Sequence, residues 1–367
     1  MEAARKPVGE LLDAVSRQPK IKRSEYQETG RFPIVDQSQA DIAGYTDDES
    51  WLYQGELPVV IFGDHTRVLK FVDFPFCVGA DGTQLLRPVT GNDIRYFYYA
   101  LRNVDLTNYG YERHFKYLKE EQIPAPPLPV QRRIAGILSA YDELMENHRR
   151  RIRILEEMAR ALYREWFVHF RAPGMESNRR INSPLGPIPH GWEVGRLDDV
   201  LVLQRGFDLP KADRVEGTVP IYAATGVTGF HNAAKVKAPG VVTGRSGTIG
   251  DVLYVQEDFW PLNTALWVKE FPKAEPLYAY YVLSSLDLKQ FNSGAAVPTL
   301  NRNDIHGFDA LIPPRQLQKR FQEIVGAMFA QARTLELQIQ NLRRTRDLLL
   351  PRLLSGQVAL AERGGVC

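Results

Sequence analysis

The sequence predicts a mixed α/β protein made of two tandem pseudo-repeats, each a globular α/β domain followed by a long helix, with the two helices pairing as an antiparallel coiled coil. Three observations predict it. The chain repeats itself, short apolar runs alternate with glycine turns inside each copy, and each copy ends in a heptad seam that begins after prolines.

The repeat is read directly. Val8-Gly9-Glu10-Leu11-Leu12-Asp13 returns 186 residues later as Val194-Gly195-Arg196-Leu197-Asp198-Asp199. Pro33-Ile34 returns as Pro220-Ile221, and Ile42-Ala43-Gly44-Tyr45 as Val227-Thr228-Gly229-Phe230. Tyr96, Tyr98-Tyr99, Leu101 and Asp105-Leu106 return 182 residues later, and Pro126-Pro127 with Gln131 and Arg133 return 187 residues later. An unbroken order with nearly constant offset means duplication with small loop insertions.

Inside the copies, the runs 57–62, 68–72, 240–243 and 252–255 read as strands, separated by turns such as Gly79-Ala80-Asp81-Gly82 and Gly244-Arg245-Ser246-Gly247. Residues 93–106 and 275–288 have helical spacing. Tyr98-Tyr99 and Tyr280-Tyr281 lie there, and their repetition argues for core packing over base stacking. The seam Leu138, Tyr141, Met145, His148, Ile152, Leu155, Ala159, Leu162, Trp166 steps by three and four, as does Phe321, Val325, Met328, Ala332, Leu335, Ile339, Leu342, Arg346, Leu349. At 1.5 Å per residue each helix runs about 55 Å, too long for a compact interior and suited to a spacer or partner-binding surface. The expected domains are residues 1–126, a first helix 127–172, a linker 173–191, a second domain 192–312, a second helix 313–352 and a tail 353–367.

Composition narrows the class. With 44% hydrophobic and 25% charged residues the chain is an ordinary globular protein. No apolar run suits a signal core or a membrane span, and Cys77 and Cys367 lack any CxxC or metal spacing. A reducing cytoplasm is the expected compartment. The net charge of +2 decides nothing about nucleic acid; local patches must. Asp-Pro-Pro-Tyr, Asn-Pro-Pro-Phe, Walker and HExxH motifs are absent, so no catalytic residue, metal or cofactor is expected on this chain.

The run Ile123-Pro124-Ala125-Pro126-Pro127-Leu128-Pro129-Val130-Gln131-Arg132-Arg133-Ile134-Ala135, followed by the coil, resembles the specificity subunit of type I restriction-modification systems. So do Ile61-Phe62-Gly63-Asp64-His65-Thr66-Arg67, Val78-Gly79-Ala80-Asp81-Gly82, Pro187-Ile188-Pro189-His190-Gly191-Trp192 and Leu353-Leu354-Ser355-Gly356. The resemblance implies a DNA-recognition subunit whose two target-recognition domains each read half of a split double-stranded site. It also implies helices that space the readers and dock two methyltransferase subunits, which bind S-adenosylmethionine, with a restriction (motor-nuclease) subunit as an optional partner. The first copy departs from the pattern by lacking a counterpart of 187–192.

Two pairs of segments carry candidate contacts. The loop 63–67 holds Asp64, His65, Thr66 and Arg67, and its counterpart holds Arg245, Ser246 and Thr248; these are DNA contacts or polar hairpin turns, and the repetition favours contact. Before the proline stops lie Tyr111, Arg113, His114 and Lys116, then Asn301 and Arg302, which are either readers or solvated caps. Arg149-Arg150-Arg151 and Arg153 form a basic run that is a solvated face or a DNA or partner contact. Two rivals stand: a specificity subunit of a methylation-only or type II-like system, and a coiled-coil scaffold that binds proteins. Salt-dependent DNA binding separates the scaffold from the rest.

Overall fold

Val59–Gly63 is buried along its whole length, and it forms the middle of a three-stranded antiparallel sheet between Leu69–Val72 and Thr83–Leu86. A strand covered on both faces reads as a continuous apolar run, which is why 57–62 lacks alternation. The chain is described here by a computed structural model over residues 4–15, 18–107, 113–174, 179–292 and 297–358. It divides into two compact units, Met1–His148 with Gln338–Cys367, and Arg149–Leu337.

In the first unit a second sheet joins Gly44–Thr46, Phe32–Val35 and Cys77–Val78, the last two parallel. Arg5–Pro7 pairs with Gln122–Pro124 and so ties the start of the domain to its end. The helix Ile94–Arg102 is capped by Asp93, whose carboxylate accepts the Tyr96 N–H at 2.8 Å. Its buried face joins Val60, Phe62 and Leu86 in one core.

The second unit repeats each part. Glu193–Arg196 pairs with Asp309–Ile312, and Gly226–His231, Val219–Ala223 and Trp260–Pro261 form the sheet with one parallel pair. The remaining sheet runs Val202–Arg205, Ala265–Glu270, Gly240–Gly244, Val252–Val255, and Pro276–Ser285 is the matching helix. Tyr99 and Tyr281 are buried and Tyr98 and Tyr280 half-buried, as core residues.

The long helices span Leu128–Tyr163 and Arg315–Leu354. None of the seam residues is exposed. Within the first unit Leu138 shares a core with Leu350, Leu353 and Leu354, and Asp142 pairs with Arg346; within the second, Tyr163 meets Phe321 at 6.3 Å between ring centroids. Partner numbers fall as residue numbers rise, so the coil is antiparallel.

Three boundaries differ from expectation. The first helix widens into a π turn at Arg164–Val168, which delivers Trp166 and Phe167 into the second unit's core. Residues 173–191 hold a hairpin, Arg180–Ser183 with Gly186–Pro189. The second helix continues past 352 because Leu353 and Leu354 are buried, and Pro351 is accommodated in its last turn. Each compact unit also takes part of both helices, so the coil is not a body of its own.

Candidate nucleic-acid interface

Strand ends create the site. In the first unit Val59–Gly63 runs into the turn 64–67, where Arg67 takes a left-handed φ of 61° and its N–H returns to the Gly63 carbonyl at 2.8 Å. A Cβ on Gly63 would lie 2.1 Å from Thr66 Oγ1, so this packing requires glycine. Gln37, just past Phe32–Val35, ties two turns together. Its Oε1 accepts the His65 N–H at 3.2 Å, its backbone carbonyl accepts the Thr66 hydroxyl, and its Nε2 donates to the Asp81 carbonyl at 2.7 Å. The segment at Ile21 joins the same edge through the Ala80 N–H, 2.9 Å from the Ile21 carbonyl.

The two candidate segments of this unit meet. The His114 N–H donates to the Asp64 carbonyl and the Phe115 N–H to Asp64 Oδ1, both at 2.8 Å. Asp64 is therefore the anchor of the helix Phe115–Glu120, only 4% exposed, and His114 is 2% exposed. In this fold both of these expected contacts are buried: the Asp64 carboxylate is engaged by the helix start, and His114 joins the loop through its backbone N–H while its ring is packed inside. His65, Thr66, Arg67, Arg113 and Lys116 remain exposed. Tyr111 lies outside the described residues.

The second unit assembles the same edge from backbone bonds. The Arg245 and Ser246 N–H groups both donate to the Thr264 carbonyl, at 2.9 and 3.1 Å. The Leu300 N–H donates to the Arg245 carbonyl at 2.8 Å and the Gly247 N–H to the Pro298 carbonyl at 2.9 Å. Phe207 enters through its N–H on the Pro261 carbonyl at 2.8 Å. Thr248 and Arg302 are exposed, Arg245 and Ser246 half-buried. Asn301 is exposed but its side chain caps Arg302–His306 by accepting the Asn303 N–H at 3.1 Å, so it is at least partly structural.

Three arginines at these edges are held in the same way. Arg67 donates one guanidinium N–H to the Leu106 carbonyl at 3.1 Å, Arg245 to the Asn263 carbonyl at 3.1 Å and Arg302 to the Leu203 carbonyl at 3.2 Å. A guanidinium fixed by one edge keeps further donors for a phosphate or a guanine, with less entropy left to lose.

Sequence reasoning missed several groups. Lys20 lies close enough to Asp81 and Asp64 to feel their charge; burial pushes its ammonium below the ordinary value while both carboxylates oppose that shift. Lys235 stands over Trp260 and Phe207, with Nζ 5.0 and 5.9 Å from the ring centroids. Neither follows a glycine turn, so only the repeat could have pointed to them: Phe207 and Ile21 occupy matching bridges in the two units. Among the described residues no group of three or more His, Cys, Asp or Glu could hold a metal ion, and no helix is long and apolar enough to cross a membrane.

Comparison with known proteins agrees with this duplication. Residues 3–157 and 189–342 each match the family described as type I restriction modification DNA specificity domain. The MjaIX type I specificity subunit of Methanocaldococcus jannaschii is 29% identical over 270 residues, which is 67% of this chain and 62% of that protein. The EcoR124I/EcoR124II specificity subunit of Escherichia coli is 26% identical over 137 residues, 34% of each chain. These matches span less than two thirds of those relatives' length. The crystal structure of a type I S subunit from M. genitalium shares the fold, with a TM-score of 0.63 at 18% identity over 96% of both chains.

Proposed function

This chain belongs to the type I restriction-modification DNA specificity family, and from that premise we propose that it selects the DNA sequence for a multisubunit adenine methyltransferase and endonuclease without catalysing either reaction itself. The observation that carries the reading is the doubled edge: in each unit, loops distant in sequence converge on one sheet end and present arginines already held in place. Two such edges on one chain suit a two-part target, each unit reading one half. Exposed His65, Thr66, Arg67, Arg113, Lys116, Thr248 and Arg302, with the half-buried Arg245 and Ser246, are the proposed contacts. Phosphate contacts set orientation, and guanidinium or hydroxyl contacts to base edges set sequence.

The long helices are the proposed docking surface for two methyltransferase subunits, which bring S-adenosylmethionine, and through them for a motor-nuclease subunit. The exposed basic residues Arg150 and Arg151 suit DNA phosphates or an acidic partner surface. A cytoplasmic location follows from the proposed partners.

The test is a binding series with the assembled methyltransferase complex on duplexes in which one half of the methylated sequence is scrambled at a time. The expected result is a loss of specific binding from either change, with affinity falling linearly against salt on logarithmic axes. Binding indifferent to sequence and to salt would support a protein-binding scaffold instead.

A further inference from the structure

The two repeats start their long helices in the same register. Gln131 and Gln318 are buried and make equivalent bonds: each accepts a backbone N–H at 2.8 Å, from Asp93 or Glu275, and each donates to a carbonyl at 2.8 Å, of Pro126 or Pro313. Eleven residues beyond each glutamine stand Asp142 and Phe329, and the residue 187 places before Arg346 is Ala159. The two coil junctions can therefore be compared position by position.

They differ in the chemistry of these matched positions. In the first unit the Tyr99 hydroxyl donates to Asp142 Oδ2 at 2.5 Å, and the Arg346 guanidinium, 7% exposed, pairs with the other Asp142 oxygen and with Asp347. In the second unit the matching Tyr281 faces Phe329, their centroids 6.5 Å apart, and Ala159, 1% exposed, belongs to the same apolar cluster. At the matched positions one junction carries an ion pair and the other apolar side chains.

We propose that the Asp142–Arg346 pair is a pairing key: it makes the first long helix choose the second and refuse a second copy of itself. Because the helices are related by one offset, an antiparallel pair made from two first helices would have the same geometry and would set Asp142 against Ala159. A pair of two second helices would set Arg346 against Phe329. The first arrangement leaves Asp142 without Arg346, and the second leaves the buried Arg346 with only its chain neighbour Asp347, whereas the pairing seen in the structure gives each its partner across the coil. A lone buried polar group selects partners in coiled coils for this reason. The key adds to a difference in bulk, since Trp166 and Phe167 stand where the other repeat has Leu353 and Leu354. The consequence is a chain that closes on itself and does not assemble through like halves.

The experiment cuts the folded full-length protein at a protease site inserted after Gly174, leaving both pieces present, and follows their pairing over days by native mass spectrometry. The unaltered pieces stay as one-to-one heterodimers. Asp142→Phe with Arg346→Ala copies the second junction's chemistry and raises like-with-like dimers by about tenfold or more. Asp142→Asn with Arg346→Gln removes the charges at nearly constant shape and covers the case in which the first variant does not fold; it raises like dimers in the same direction. The exchange Asp142→Arg with Arg346→Asp restores pairing between unlike halves. Neutral variants that remain folded and as strictly heterodimeric as the parent would overturn the proposal, as would a charge exchange that scrambles as freely as the neutral pair.

Discussion

Gln318 accepts the backbone N–H of Glu275 at 2.8 Å while fully buried, and so fixes the start of a long helix to the start of a short one. Its amide donates to the Pro313 and Lys273 carbonyls as well. Gln131 holds Asp93 and Pro126 in the same manner. Alanine at either position strands a backbone donor and an acceptor away from water, at a cost of about 3 kcal/mol. Urea unfolding of Gln131→Ala, Gln318→Ala and the double variant checks this. The two costs add within about 0.5 kcal/mol, because the residues share no partner; a double variant no less stable than the singles would contradict it.

Arg67 and Arg245 serve different halves of the target in the proposed reading. Arg67→Ala weakens binding by about 1–3 kcal/mol and relaxes the preference in one half-site only, while Arg245→Ala does so in the other. Anisotropy titrations of the assembled complex on singly substituted duplexes measure both. Relaxation of the same half by both variants would rule out independent readers.

Lys235 has its ammonium ordered across Trp260 and Phe207, whereas Lys237 nearby is paired with Asp258 at 2.6 Å. An exposed cation ordered in this way beside the edge is suited to a phosphate. Lys235→Ala is expected to lower the slope of log affinity against log salt by about 0.9, uniformly across sequences, and Lys237→Ala by clearly less. Equal slopes for the parent and Lys235→Ala would remove Lys235 from the contact set.

His306 accepts the Leu203 N–H on Nε2 at 3.0 Å, which only the neutral ring can do. Burial lowers its pKa below the ordinary 6.5; Arg302 and Arg196 act in the same direction and Asp198 against it. The unfolded chain therefore takes up this proton first as pH falls. The contribution is whole above about pH 6.5 and is lost as the pH drops through the folded-state value. Stability measured between pH 7.5 and 5 declines for the parent and declines less steeply for His306→Gln. Parallel curves would show that His306 does not couple protonation to folding.

The sequence by itself determined the duplication, the seams, the strands in 57–62, 68–72, 240–243 and 252–255 and the helices in 93–106 and 275–288. These are periodic features: offsets near 186 survive loop insertions, and a heptad repeats because a helix returns to the same face every two turns. It also named the segments that meet at each edge, since Gly63 and Gly244 mark strand ends that must turn. Only the tertiary structure decided which side chains at those edges are free. Asp64 and His114 read as polar loop residues until a helix start is found to rest on them, and Lys20 and Lys235 gain meaning only from groups far away in sequence. Arg346 was visible as a charge on an apolar seam, but its partner Asp142, 204 residues distant, is set by how two helices lie against each other. Periodicity is a local property that a chain carries in its own order; the company a side chain keeps is a property of packing, and no local pattern encodes it.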